Sequence, residues 1–237
     1  MSRKSVSKME RDIEDRYYAI KVALKALLDQ RLTGREREVN SHNWHFLCHD
    51  HGEDMRLYQV NAGKFIYDML AQELADLLEA VQSILDDYLL EGGEQNLWAM
   101  DYVVAEAQRG TLEAFNNLSQ QSQVYASHTT LQQLLSSPGY LNQISAARLT
   151  AFSDWKVISD TARGDLTNII TDTVARGVNP RETASVISKR LDVSMSKAKT
   201  IAQTEQVGAL RQAQWNETLS AIIENIAVSY THLTLPT

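Results

Sequence analysis

Apolar residues recur at helical spacing along most of this chain. Ile13, Tyr17, Ile20, Leu24, Leu27 and Leu28 line one face with charges opposite, which predicts an amphipathic helix over about 6–31 that stops at Thr33-Gly34. The period breaks between Gly34 and Gly52, where Trp44-His45-Phe46-Leu47 reads as an extended or packed loop. A second long helix is predicted from near Asp54, carried by Leu70, Leu74, Leu77, Leu78, Val81, Leu85 and Tyr88 to the Gly92-Gly93 stop. Leu97, Trp98, Tyr102, Val104, Leu112, Phe115 and Leu118 suggest a third stretch, with Gly110 as a break or a point of close packing.

Past a Ser/Gln-rich piece of weak periodicity (118–130), Leu131 to Leu135 form a short helix. Ser136-Ser137-Pro138 then supplies an N-cap and a first-turn proline. Leu141, Ile144, Phe152, Trp155, Ile158, Ala162, Leu166, Ile169, Ile170 and Val174 keep the period to Gly177, so one helix of nearly forty residues is expected. Asn179-Pro180-Arg181-Glu182 starts the next, with cap, proline and a glutamate three residues past the cap. That helix is expected to end near Leu191, and a further one to begin from a cap at Ser194 or Ser196. On the latter, Ala198, Ile201, Ala202, Gly208 and Ala209 share a face of small and apolar residues.

Three prolines and ten glycines in 237 residues leave room for long helices and argue against a many-stranded β fold. The expected fold class is therefore mostly α: an elongated bundle of long amphipathic helices, with a candidate division into two lobes. The N-terminal helical lobe would span 1–126, with an irregular histidine-rich segment at 34–53, and the C-terminal helical region 127–227. The last ten residues, 228–237, coincide with a transposon-type sequencing adapter read as codons. They are taken as a non-native tail, with the native chain truncated near Ala227.

Charge and cysteine content narrow the function classes. The net charge is −7 and uneven: residues 41–118 hold 3 basic against 14 acidic residues, while 1–40 hold 10 against 7. Such an acidic middle repels a phosphate backbone, so direct nucleic-acid binding is not expected outside the mildly basic N-terminal segment. A solvated helix face accounts for the acidic belt, and an interface with a basic protein is the sharper alternative. Cys48 is the single cysteine, which excludes an intrachain disulfide and fits a reducing compartment. No apolar run reaches the length of a membrane span, and the charged N-terminus is not built like a signal peptide. A soluble protein made in a cytoplasm is expected.

Two constellations bear on chemistry. His42, His45, Cys48, His49 and His51 gather four of the six histidines with the only cysteine, a set of zinc-type ligands. It lacks the Cys-x-x-Cys or His-Glu-x-x-His spacing of well-defined sites, so the expectation is no metal and no cofactor. No serine sits in Gly-x-Ser-x-Gly, and no P-loop-like glycine pattern occurs. Asp86-Asp87 and Glu53-Asp54 read as solvated surface. Glu205 is the second constellation: a carboxylate inside a stripe of small residues, which is costly unless paired or hydrogen-bonded. It reads as a structural anchor, with Arg148 or Arg163 on the preceding helix as candidate partners, or as part of a site.

Gly-x-x-Pro, a short helix, then Ala-x-x-Ile-Ala-x-Thr-Glu followed by small residues resembles the MuF-like family, the head morphogenesis or minor head proteins of tailed bacteriophages. The matching residues are Gly177, Pro180, Ala198, Ile201, Ala202, Thr204, Glu205 and Ala209, and the motif covers about a fifth of the chain. Gln203 departs from the pattern, standing where the family usually carries arginine. The resemblance implies a non-enzymatic role in the virion, at the capsid interior or portal vertex. The partners would be the portal and other head proteins, met in the host cytoplasm during assembly. Two other classes stand beside it: a metal-dependent enzyme or toxin-bearing relative whose catalytic module is missing here, and a cytoplasmic helical adaptor unrelated to phages.

Overall fold

A computed structural model of the chain describes residues 3–36 and 65–223. Within them the protein is a mostly α bundle. Seven helices run in the order α1 (Arg3–Arg31), α2 (Ala71–Leu89), α3 (Met100–Gln121), α4 (Gln123–His128), α5 (Leu131–Leu135), α6 (Pro138–Arg176) and α7 (Pro180–Ile223). The one sheet is a two-residue antiparallel pair, β1 (Arg35–Glu36) with β2 (Phe65–Ile66). The histidine cluster and the 228–237 tail lie outside the described residues.

Local chemistry sets the helix ends. Ser137 caps α6, its Oγ accepting the backbone N–H of Tyr140, and Pro138 follows in the first turn. Thirty-nine residues later Gly177 adopts φ +65° and ψ 42°, a left-handed C-cap that a side chain would strain. Asn179 Oδ1 accepts the N–H of Arg181 at 2.9 Å, and Pro180 opens α7. Gly92 and Gly93, at φ +84° and +64°, close the turn after α2.

Two expectations are corrected. The second helix starts at Ala71, not near Asp54: Phe65–Ile66 pairs as a strand, and the start is set where Glu73 accepts the Leu70 N–H at 2.8 Å. The helix after Pro180 does not stop at Leu191. It runs for 44 residues, about 65 Å at roughly 1.5 Å per residue, because no proline follows Pro180 within it and its single glycine, Gly208, is carried in the helix without breaking it. Ser194 therefore caps nothing, and its Oγ meets the buried hydroxyl of Tyr17 at 2.7 Å. In the Ser/Gln-rich piece, α3 runs on to Gln121 and α4 takes Gln123–His128. Ser122 caps α4, whose Tyr125 is buried and hydrogen-bonded to Glu217 of α7.

α7 is the axis of the bundle. α1 runs antiparallel to it, tied by Tyr17 to Ser194, Lys21 to Asp192, Glu14 to Lys199 and Glu10 to Gln203. α6 folds back on it through the Gly177 turn, and α3 runs alongside in parallel, with Gly110 against Leu210 and Glu113 bonded to Gln214. One hydrophobic cluster takes residues from Met9, Ile13 and Leu85 through Val103 to Trp155, Leu191 and Ala202, so it crosses the 126/127 boundary drawn between lobes. Gly110 is a point of close packing rather than a break.

Candidate functional site

The residues behind the family resemblance fall on the α6–α7 hairpin. Gly177 turns the chain, and Thr173 and Thr183 face each other across the turn with hydroxyls 2.9 Å apart. The turn is also gripped from outside, where the Phe65 N–H donates to Gly177 O and the Tyr67 hydroxyl to Val178 O. Further along α7, Ala198 and Ala202 are fully buried, while Ile201 and Ala209 are half-buried against the same core. Small side chains at these positions let neighbouring helices approach α7 closely.

The Thr-Glu pair is split by the helix. Successive residues point about 100° apart, so Thr204 faces solvent with its hydroxyl on Thr200 O, whereas Glu205 turns inward. Gln203 shares the outward side and donates to Glu10 of α1 at 2.6 Å, an acidic partner of the kind a cation at this position would take.

Glu205 is not held by an arginine. Arg163 is exposed, and Arg148 leaves its Nε buried without a partner. The donor is the indole N–H of Trp155, reaching Glu205 Oε2 at 3.4 Å, while Oε1 is buried with no hydrogen bond. Burial raises the carboxyl's pKa to about 7. The Trp155 hydrogen bond opposes that shift and the nearby charge of Asp154 adds to it. At Gln206, the next residue, the side chain is 1% exposed and neither end of its amide has a partner. Both groups depart from the rule that buried polar atoms are hydrogen-bonded.

The rest of the surroundings came from residues that sequence reasoning had placed only in apolar stripes or on a charged face. Trp155 is fully buried and meets Trp98 edge-on at 4.8 Å. The Arg16 guanidinium sits over the other ring, 4.0 Å from its centroid, and donates to Tyr88 O at 2.7 Å while pairing with Asp12 and Glu91. A physical line therefore runs from Glu205 on α7 through Trp155 on α6 and Trp98 to Arg16 on α1. A tryptophan four or seven residues from other apolar positions carries no sign of the acid its N–H will meet.

Open hollows lie elsewhere. One of about 420 Å³ is lined by Arg31, Tyr67, Asp68, Glu73 and Asp76, and a smaller apolar groove of about 130 Å³ runs between α1 and α7 over Leu24, Leu28, Ile187 and Leu191. Among the described residues no three His, Cys, Asp or Glu side chains are grouped to hold a metal ion. No described helix is long and apolar enough to cross a membrane. No family model, curated protein or solved structure matches this chain.

Proposed function

We propose that this chain is a minor head or head morphogenesis protein of a tailed bacteriophage. It joins the procapsid beside the portal in a few copies and assists head assembly or the handling of DNA at packaging and ejection. The observation that supports this reading is the α6–α7 hairpin. Gly177, Pro180, Ala198, Ile201, Ala202, Glu205 and Ala209, seven of the eight residues of the resemblance, lie in its turn or on the packed side of α7. They are used for packing, as expected of a motif that marks a structural element. The two longest helices, 39 and 44 residues, suit a spacer or scaffold. The role is non-enzymatic: Glu205 faces a hydrophobic seam, not a hollow that would admit substrate. The enzyme alternative rests on histidines outside the described residues.

The test is co-expression with the portal protein encoded beside this chain's gene, followed by size-exclusion chromatography and mass analysis of the portal fraction. The chain should co-elute with assembled portal, and procapsids built without it should form in lower yield or eject poorly. A gene with no portal or terminase neighbour, or portal rings that retain none of the chain, would sink the reading.

A further inference from the structure

We infer that Glu205 is a proton-controlled latch between α6 and α7: with its carboxyl neutral the seam closes over Trp155, and when the proton passes to solvent the carboxylate draws toward water and loosens the seam. This goes beyond the phage reading and does not rest on it.

The geometry suits a neutral acid and not an anion. A buried carboxylate needs two or three strong donors or a facing cation, and Glu205 has one indole N–H at 3.4 Å with its other oxygen unpartnered. The charged groups on each neighbouring helix do not make up the deficit. On α6, Asp154 is repulsive, Arg163 is exposed, and Arg148 lies two helical turns before Trp155 without bonding Glu205. On α3, Glu106 and Arg109 neutralise each other. On α1, Arg16 is separated from Glu205 by both indoles and is taken by Asp12 and Glu91, while Glu10 is bonded to Gln203 and Lys199 to Glu14.

Gln206 adds a second, independent sign. Its amide is sealed among the helices with neither end bonded, so water entering an opened seam would satisfy it as well as the carboxylate. The opening would be felt beyond the seam, because Trp155 abuts Trp98 and Trp98 carries Arg16. The sign follows from linkage. The folded chain holds this proton more tightly than the unfolded chain, so the closed state loses stability as pH rises from the ordinary carboxyl value of 4.5 through about 7. Above that range the loss is complete, and at acidic pH it vanishes.

The experiment follows the indole N–H signals and backbone amide exchange of the intact chain from pH 5 to pH 9, with the Trp155 signal assigned by its absence in Trp155→Phe. The Trp155 resonance should move with a midpoint between about pH 6 and 8. Amide protection on α6 and α7 around positions 155 and 205, corrected for intrinsic exchange, should fall roughly 10-fold across that midpoint. Glu205→Gln, neutral at every pH, should hold the resonance and the protection constant. A Trp155 signal that stays fixed, that moves only below pH 5, or that still moves in Glu205→Gln overturns the proposal. Should Glu205→Gln fail to fold, carboxyl signals of the unsubstituted chain labelled at glutamate decide: one midpoint far above the others supports the latch, and all midpoints in the ordinary range refute it.

Discussion

α7 makes two long seams that solve the same packing problem differently. Against α6 it is antiparallel, and its partners are close in sequence near the turn. The spacing there is filled by side chains: Trp155 in the middle, the Thr173–Thr183 pair at the turn, and a two-bond contact of Arg190 with Asp165 at 2.7 and 2.8 Å. Against α3 it is parallel, with partners about a hundred residues apart, and the spacing is set by the absence of side chains. Gly110 faces Leu210 and Ala213, Ala107 shares a cluster with Ala213, Ala114 is buried one turn on, and a Cβ at position 110 would lie 2.4 Å from Leu210 O. A seam filled by side chains can hold a group whose charge changes. A seam closed backbone to backbone has no such freedom.

The sharpest way to break this contrast is to put a side chain at position 110. Glycine in a helix interior costs about 1 kcal/mol relative to alanine, so its presence in mid-α3 needs the close approach to offset it. Gly110→Val should push α3 off α7 against a carbonyl that cannot swing aside, at a cost of about 3 kcal/mol. Thermal unfolding should then fall by several degrees for a chain of this size. A Gly110→Val protein as stable as the parent would show that the two helices are not held at backbone distance.

Gly177 sharpens the same comparison from the other seam, because this glycine is required by its backbone angle and not by space. Gly177→Ala forces a Cβ into the left-handed region at φ +65° and should cost about 1–2 kcal/mol. Gly177→Asn should recover part of that loss, since asparagine tolerates the conformation. Gly110→Asn should recover nothing, since its problem is volume. Denaturant midpoints of the four variants decide the matter, and equal behaviour of asparagine at both positions would erase the distinction.

The contrast also explains what could be read from the sequence. The α6–α7 hairpin was legible in advance because its signals are local: Ser137-Pro138 to start, Gly177 to stop, Asn179-Pro180 to start again. The α3–α7 seam was not, since nothing near Gly110 says that Leu210 will approach it. Ser194 misled for a related reason. Its hydroxyl resembles a cap when only its neighbours are considered, yet it is committed to Tyr17, 177 residues away, whose own hydroxyl is pushed up to about 12 by burial, partly offset by this bond. At Glu205 the inward direction followed from helical period, but the partner did not. The expectation of an arginine gave way to an indole because Arg163 points outward from α6, and Arg148, though on the face of Trp155, lies two turns away from it along the helix.

The smallest predicted effect lies at the turn, where two threonines make a polar contact between helices that is buried on both sides. Each hydroxyl has one proton. Thr173 Oγ1 lies 2.8 Å from Ile169 O and donates there, so the contact at 2.9 Å must use the proton of Thr183, which also has Asn179 O within 3.2 Å as an alternative acceptor. Thr183→Val keeps the shape and leaves Thr173 still donating to its own helix, so only an acceptor position is vacated. Thr173→Val lets Thr183 turn fully to Asn179 O. Neither change strands a buried donor, and that stranding is what makes a lost hydrogen bond expensive. Each should therefore cost about 0.5–1 kcal/mol, and the double variant less than the sum of the two, because the shared contact is counted in both. Chemical unfolding of the three variants measures this coupling. A single substitution costing more than about 3 kcal/mol would mean that the hydroxyl pair, and not the Gly177 turn beside it, holds the end of the hairpin together.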